Sequence, residues 1–126
     1  DSWGEVTPLS FEQVGIKDEF DLIISVGSRR RENFGRSGGV LAWAQMPPTR
    51  NFDGILLTKF DLAENWILPD SEERGIILRS VATHEIGHLL GLYHSKDESA
   101  LMYPYINNAL KPQEDDIKKI QRLYGK

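Results

Sequence analysis

All three histidines of the chain fall in one eleven-residue window, His84-Glu85-Ile86-Gly87-His88-Leu89-Leu90-Gly91-Leu92-Tyr93-His94. Residues i and i+4 of a helix stand on one face, a turn apart. His84 and His88 on a helix can therefore aim two imidazole nitrogens at one point, which suits tetrahedral zinc with bonds of ~2.1 Å. Glu85 lies about 100° round the helix from His84. It is poorly placed as a ligand of the same ion but well placed as a general base on a water beside it. Gly91 lets the chain leave the helix sharply, because a residue without Cβ turns at little cost. His94 can then return as a third ligand. Three neutral imidazoles leave a fourth position open, the mark of catalytic rather than structural zinc. Two rival readings use the same residues. Asp97 or Glu98 could complete a structural site, and a zinc-binding module without activity needs the histidines but has no use for Glu85.

These residues need a helix that stops at Gly91, and the flanking sequence provides one. Residues 68–73, Leu-Pro-Asp-Ser-Glu-Glu, read as its start, with Asp70 or Ser71 as cap and Glu72 and Glu73 in the first turn. Ile76, Ile77, Val81 and Leu89 continue it to Leu90. A last helix begins near Pro112, carries Glu114, Asp115 and Asp116 near its N-terminus, sets Ile117, Ile120 and Leu123 on one face, and ends at Gly125. The first half reads as strands: 9–14, 20–26, 40–44 and 54–58, the second being the richest in β-branched and apolar residues. Residues 27–39, rich in Arg, Gly and Ser, read as an exposed loop.

The chain has 126 residues, 40% hydrophobic, a size that bounds it to one domain. It contains no cysteine, which excludes a thiol nucleophile, a zinc ribbon and an iron–sulfur centre. A net charge of −4 argues against nucleic acid as the partner. No apolar run is long enough to span a membrane, and no signal peptide opens the sequence.

The long zinc motif is similar to that of the metzincin clan of metallopeptidases. Ser95 after the third histidine, and Ala100-Leu101-Met102-Tyr103-Pro104, resemble the matrixins, the matrix-metalloproteinase catalytic domains. The likeness extends along the chain through residues 3–11, 21–24, 34–44, 60–66 and 115–125. It implies a metzincin-like α+β fold: a mixed twisted sheet of about four strands, the active-site helix, a Met-turn and a C-terminal helix. Met102 takes the place of the apolar floor beneath the metal. Residues 1–91 correspond to the upper subdomain and 92–126 to the lower. The implied activity is a secreted or extracellular zinc endopeptidase with one catalytic zinc. A peptide or protein substrate extends along Gly39, Val40, Leu41 and Ala42, with Leu41 and Ala42 as backbone partners. Ser80, Pro104, Tyr105 and Ile106 match the wall of a pocket for a bulky apolar side chain just after the cleaved bond.

Three departures from the family pattern carry expectations of their own. Trp43 and Lys59 stand where two histidines of the family's structural zinc fall, so that zinc is not expected. Asp61 and Glu64 match two carboxylates of the structural calcium, but Gly35 falls where the loop aspartate should be. Arg36, another loop arginine or Lys59 is then the expected ion-pair partner of those carboxylates. The family's first strand and first helix, and its prodomain, have no counterpart here. Without that helix, an apolar patch is expected on Leu22 and Ile24, or on Ile23 and Val26. The same absence is the main argument for a module or fragment that binds zinc without catalysis.

Overall fold

The structure, a computed structural model, describes residues 2–15, 17–27, 40–49 and 52–126. Strands β1 (Leu22–Gly27), β2 (Ala42–Ala44) and β3 (Leu56–Asp61) make a mixed sheet in the order β1-β3-β2. The central strand β3 runs parallel to β1, with Leu22 opposite Leu56, and antiparallel to β2, with Ala42 opposite Phe60. Being covered on both sides, it buries Leu56, Thr58, Phe60 and Asp61. Two short strands, β4 (Trp66–Ile67) and β5 (Ile76–Ile77), pair in parallel and lead directly into helix α1 (Leu78–Leu89); helix α2 (Glu114–Tyr124) closes the chain. The fold is thus α+β, with a mixed sheet and two helices. No helix among the described residues is long and apolar enough to cross a membrane.

Several expected elements differ. Residues 9–14 form no strand. Three strands rather than four precede Trp66 among the described residues, and their bounds differ from those expected: 22–27 for 20–26, 42–44 for 40–44 and 56–61 for 54–58. Asp70, Ser71, Glu72 and Glu73 lie before the helix rather than in it. Ser71 Oγ does accept a bond from Glu73 N at 3.2 Å, but within a local turn. The pairing of Trp66 with Ile76 and Ile67 with Ile77 holds those isoleucines extended, so α1 starts only at Leu78, with Ile77 as an uncapped N-cap. The expected loop over residues 28–39 lies outside the described residues, and Gly35, Arg36 and Gly39 with it.

The apolar exposure on β1 falls on neither expected pair, because Leu22 is half-buried and Ile23 and Val26 lie on opposite faces. Ile24 and Val26 are each 57% exposed, and Ile23 is exposed on the opposite face. Beside them an open groove of about 1590 Å³ runs from Leu9 and Phe11 to Leu90 and Leu123.

The packed core lies between the two helices: Trp3, Leu90, Leu92, Leu101, Met102 and Ile120, with Val6, Phe11 and Ile86 against them. Trp3 donates from Nε1 to the Thr83 carbonyl at 2.9 Å, fastening the start of the chain to α1. Gly87 is what permits this. A Cβ there would meet Met102 Sδ at 2.5 Å and Trp3 Cζ2 at 2.9 Å. Glycine inside a helix is unfavourable by about 1 kcal/mol relative to alanine, so its presence marks this close approach. Gly87→Ala should nonetheless destabilise, by about 1–3 kcal/mol, because overpacking outweighs the propensity gain. A denaturant midpoint equal to or above the wild type's would refute that packing argument.

Candidate metal centre

Helix α1 puts His84 and His88 one turn apart, with Glu85 next to His84, and the exit from α1 sets the third histidine. Gly91 has φ 108°, in the left-handed region. Gly91 N donates to the His88 carbonyl and Leu92 N to the Gly87 carbonyl, both at 2.9 Å. This pair of bonds is the Schellman closure, which satisfies the last helical carbonyls and reverses the chain. His94 returns on that reversal. Its ring centroid lies 5.4 Å from that of His84 and 4.8 Å from that of His88.

One ligand atom from each of His84, His88 and His94 lies within 4.8 Å of the others. Two ~2.1 Å bonds at the tetrahedral angle place their nitrogens roughly 3.4 Å apart, so the cluster has the span of a single zinc shell. The tautomers agree. His84 Nδ1 lies 2.7 Å from the Leu101 carbonyl, and His88 Nδ1 lies 2.7 Å from the Leu92 carbonyl. A carbonyl only accepts, so each Nδ1 must carry the proton and each Nε2 keeps its lone pair for a metal. The Leu92 carbonyl belongs to the same turn that follows Gly91, so one reversal supplies both the third histidine and the orienting acceptor of the second.

Burial lowers the His84 pKa below its usual 6.5, with the Leu101 bond opposing and the charge on His94 adding. Burial likewise takes His88 down to about 4. Both imidazoles are therefore neutral near pH 7, as ligands must be. Glu85 is buried beside them, and desolvation pushes its carboxyl up to about 7. Its Oε2 is the one buried side-chain oxygen or nitrogen among the described residues without a hydrogen-bond partner.

These shifts give the metal-free protein an unusual pH response. Folded Glu85 keeps its proton to about pH 7, whereas the unfolded carboxyl loses it near 4.5, so this group costs stability as pH rises through that window. Folded His88 stays neutral down to about pH 4, whereas the unfolded ring protonates near 6.5, so its contribution is lost as pH falls between those values. The two slopes oppose. His84, lowered by burial as well, adds a slope of the same sign as His88, so the melting temperature of the metal-free wild type should fall only modestly as pH drops from 6.5 to 4.5. Glu85→Gln removes one slope, and the melting temperature should then fall steadily as pH drops below 6.5. A flat profile in that variant would count against the burial of His88.

A cavity of about 370 Å³ opens over the cluster, lined by Ala42, Ala44, Met46, Glu85, His88, Tyr93 and His94, among others. On one side lies β2, the edge of the sheet among the described residues. Asp61 N donates to the Leu41 carbonyl and Gln45 N to the Leu57 carbonyl, at 2.9 and 3.0 Å. Hydrogen-bonded pairs alternate along an antiparallel ladder, so Trp43 also faces β3, while Ala42 and Ala44 direct their backbone groups to the open edge. Of the expected strand residues, Ala42 meets the cavity, Val40 is exposed, the Leu41 carbonyl is engaged within the sheet, and Gly39 lies outside the described residues.

Ser80, Pro104, Tyr105 and Ile106 do not line this cavity. Ser80 is buried and donates from Oγ to the Ala109 carbonyl at 2.7 Å, tying α1 to the loop that carries the other three. Pro104, Tyr105 and Ile106 are exposed on that loop. Met102 is buried against Gly87, on the helix turn between His84 and His88. Asp61 is fully buried and accepts from Ala63 N at Oδ1, and Lys59, Asp61 and Glu64 all have interaction partners. Asp97 and Glu98 are exposed and are not part of the metal-holding cluster.

Sequence reasoning missed the residues that hold the ligands in place. Asp116, buried in the first turn of α2, accepts from Leu101 N at 2.7 Å and Met102 N at 3.0 Å through its two oxygens, and from Gln113 N at 2.8 Å. The Leu101 peptide so fixed supplies the acceptor for His84. An acidic residue at a helix start is ordinary, and no local pattern distinguishes this one. Gly87 could have been noticed as a glycine in a helix interior.

The profile of the family described as Matrixin matches residues 1–125. The chain is 38% identical to matrix metalloproteinase-C of Caenorhabditis elegans and 41% identical to metalloendoproteinase 5-MMP of Arabidopsis thaliana. It is 40% identical to human matrix metalloproteinase-26. Each alignment takes in 98% of this chain but only 23%, 36% and 47% of the respective relative, so the chain spans less than half of each. With a profile match over nearly every residue and a histidine cluster of the geometry described, the chain belongs to the matrixin family.

Proposed function

We propose that this domain is a zinc-dependent endopeptidase acting on extended polypeptides. The observation that carries the reading is Glu85: a buried carboxyl with one unpartnered oxygen, opening onto the same cavity as His88 and His94. His84 and His88 would hold one catalytic zinc through Nε2, with His94 as the third ligand. Bound there, zinc would supply Lewis acidity for the scissile carbonyl and for an attacking water. Glu85 takes the proton of that water and passes it to the leaving amine, a role for which a pKa near neutrality is apt. Substrate backbone pairs with the open edge of β2 at Ala42, with Val40 and Leu41 leading into that strand. Ser80, through its bond to the Ala109 carbonyl, positions the loop of Pro104, Tyr105 and Ile106 that would bound a pocket beyond the cleaved bond, apart from the cavity over His88 and His94, and Met102 forms the floor of a Met-turn. Residues 1–126 act as one catalytic domain, divided near residue 91 into upper and lower parts. Asp61 and Glu64 are structural carboxylates, and a secreted or extracellular location accords with the family.

The test is cleavage of a quenched fluorescent peptide library, with zinc content measured alongside. Cleavage that a chelator abolishes and stoichiometric zinc restores is the expected result. One zinc per chain with no peptide cut would overturn the reading in favour of a zinc-binding module.

A further inference from the structure

The sheet has two outer strands, and the metal cavity lies beside only one of them, β2. At the opposite edge, β1 has β3 on one side and no strand on the other among the described residues. Leu56 N donates to the Asp21 carbonyl at 2.9 Å, and Leu62 N to the Gly27 carbonyl at 3.0 Å. Backbone groups alternate sides along a strand, so Ile23 and Ser25 also bond toward β3. Leu22, Ile24 and Val26 therefore aim their N–H and carbonyl groups at the free edge. Nothing in the composition of the strand guards that edge. Leu22-Ile23-Ile24-Ser25-Val26-Gly27 carries no charge and no proline, and Ile24 and Val26 are exposed on one face. Edge strands are ordinarily blunted by a charged side chain, a proline, a bulge or a covering element, because a long apolar edge is a template for a further strand.

Charge selects the strand that fits. Asp18, Glu19 and Asp21, against Lys17 alone, precede β1 in the sequence. Arg29, Arg30 and Arg31, outside the described residues, follow it. The order is acidic, apolar, basic, which is complementary to itself when two copies run antiparallel. A two-fold axis imposes that direction, because it sets the same patch of each chain against the other. We propose that the free edge of β1 is a self-association surface, on which a second copy of this chain adds its own β1 about a two-fold axis. With the axis at Ile24, that residue faces its own counterpart, and Leu22 faces the counterpart of Val26. Each such pair exchanges both backbone bonds, and the exposed side chains of Ile24 and Val26 are covered by the same pairing. The acidic approach of each chain then lies toward the basic run of the other. Two three-stranded sheets become one, and β2 remains an outer strand at each end. The proposal therefore stands whether or not the domain is a peptidase.

Sedimentation of the zinc-loaded chain should show a reversible monomer–dimer equilibrium. Its midpoint should be on the order of tens of micromolar, as fits one edge-to-edge contact at the small end of interface sizes. Ile24→Lys should raise that midpoint by at least about tenfold, since the axis sets two ammonium groups side by side. Ile24→Glu should do the same. Mixed in equal amounts, the two variants should associate at least as well as the wild type, a rescue that simple damage to the fold would not give. Amide exchange supplies a second readout. The N–H groups of Leu22, Ile24 and Val26 should exchange at least about tenfold more slowly above the midpoint than below it, while those of Ile23 and Ser25 are protected at both concentrations. A chain that stays monomeric at every concentration leaves the edge to a strand of another protein and overturns the second copy. Growth past two copies overturns the two-fold closure. A dimer that Ile24→Lys leaves intact, variants that do not rescue each other, or edge amides that exchange alike above and below the midpoint put the contact elsewhere and overturn the proposal.

Discussion

Glu85→Gln should lower kcat by roughly 10²–10⁴-fold, the usual contribution of general acid–base catalysis, while zinc content stays at one per chain. Glutamine keeps the size and shape of the side chain but cannot accept and return a proton. The histidine Nε2 atoms are oriented by the Leu101 and Leu92 carbonyls, neither of which Glu85 touches, so the ligands should stay in place. A second effect separates this from simple damage. The buried carboxyl is raised from 4.5 to about 7 by desolvation, which is worth about 3 kcal/mol against the folded state at alkaline pH. Removing that charge should raise the metal-free protein's melting temperature at pH 8, even as activity is lost. Such a trade of stability for function is expected where an ionisable group is held in an apolar site. Loss of zinc together with activity would show that Glu85 is needed for the metal shell and is not specifically the base. Retained activity with retained zinc would remove Glu85 from the mechanism.

What could be read from the sequence follows from how local each determinant is. His84, Glu85, His88, Gly91 and His94 are fixed relative to one another by one helix and one turn, so their spacing alone defined the cluster. The C-terminal helix was legible for the same reason, since Pro112, its acidic first turn and Gly125 mark both ends within the segment. Strand 22–27 was legible because its apolar, β-branched run has few other uses. Residues 9–14 resemble a strand in composition but join no sheet among the described residues, and a strand exists only through its partner. The start of α1 was misplaced for the converse reason. Asp70 and Ser71 are good capping residues, but the non-local pairing of Ile76 and Ile77 with β4 keeps that stretch extended. The supports of the metal centre were the least legible part. The orienting acceptors of His84 and His88 are backbone carbonyls, which every residue has, and only the tertiary fold selects Leu101 and Leu92.

Asp116→Ala should cost at least about 3 kcal/mol and lower the melting temperature by roughly 10 °C or more. Its carboxylate is 1% exposed and serves three backbone N–H groups, those of Leu101, Met102 and Gln113. Each buried donor left unpaired costs about 1–3 kcal/mol. Asn does not restore the site, because one of its two positions would turn an N–H₂ group toward a backbone N–H. Asp115→Ala is the control. Its carboxylate, bonded to Ser95 Oγ and Lys119, has a side chain 29% exposed, and its loss should cost only about 1 kcal/mol. The two variants should separate further in metal binding. With Asp116 gone, the Leu101 peptide is released, the orienting acceptor of His84 moves, and zinc affinity should fall by roughly 10–100-fold, as it does when second partners of metal ligands are removed. Measured by competition with a chromophoric chelator at a temperature where both variants are folded, Asp115→Ala should bind zinc as the wild type does. If Asp116→Ala were destabilised yet bound zinc with wild-type affinity, the carboxylate would serve the fold alone and His84 would be oriented without it. A loss in both measurements joins the first turn of α2 to a ligand on α1 through one backbone peptide. The segment after Gly91 is then part of the metal centre, although it contributes no ligand beyond His94.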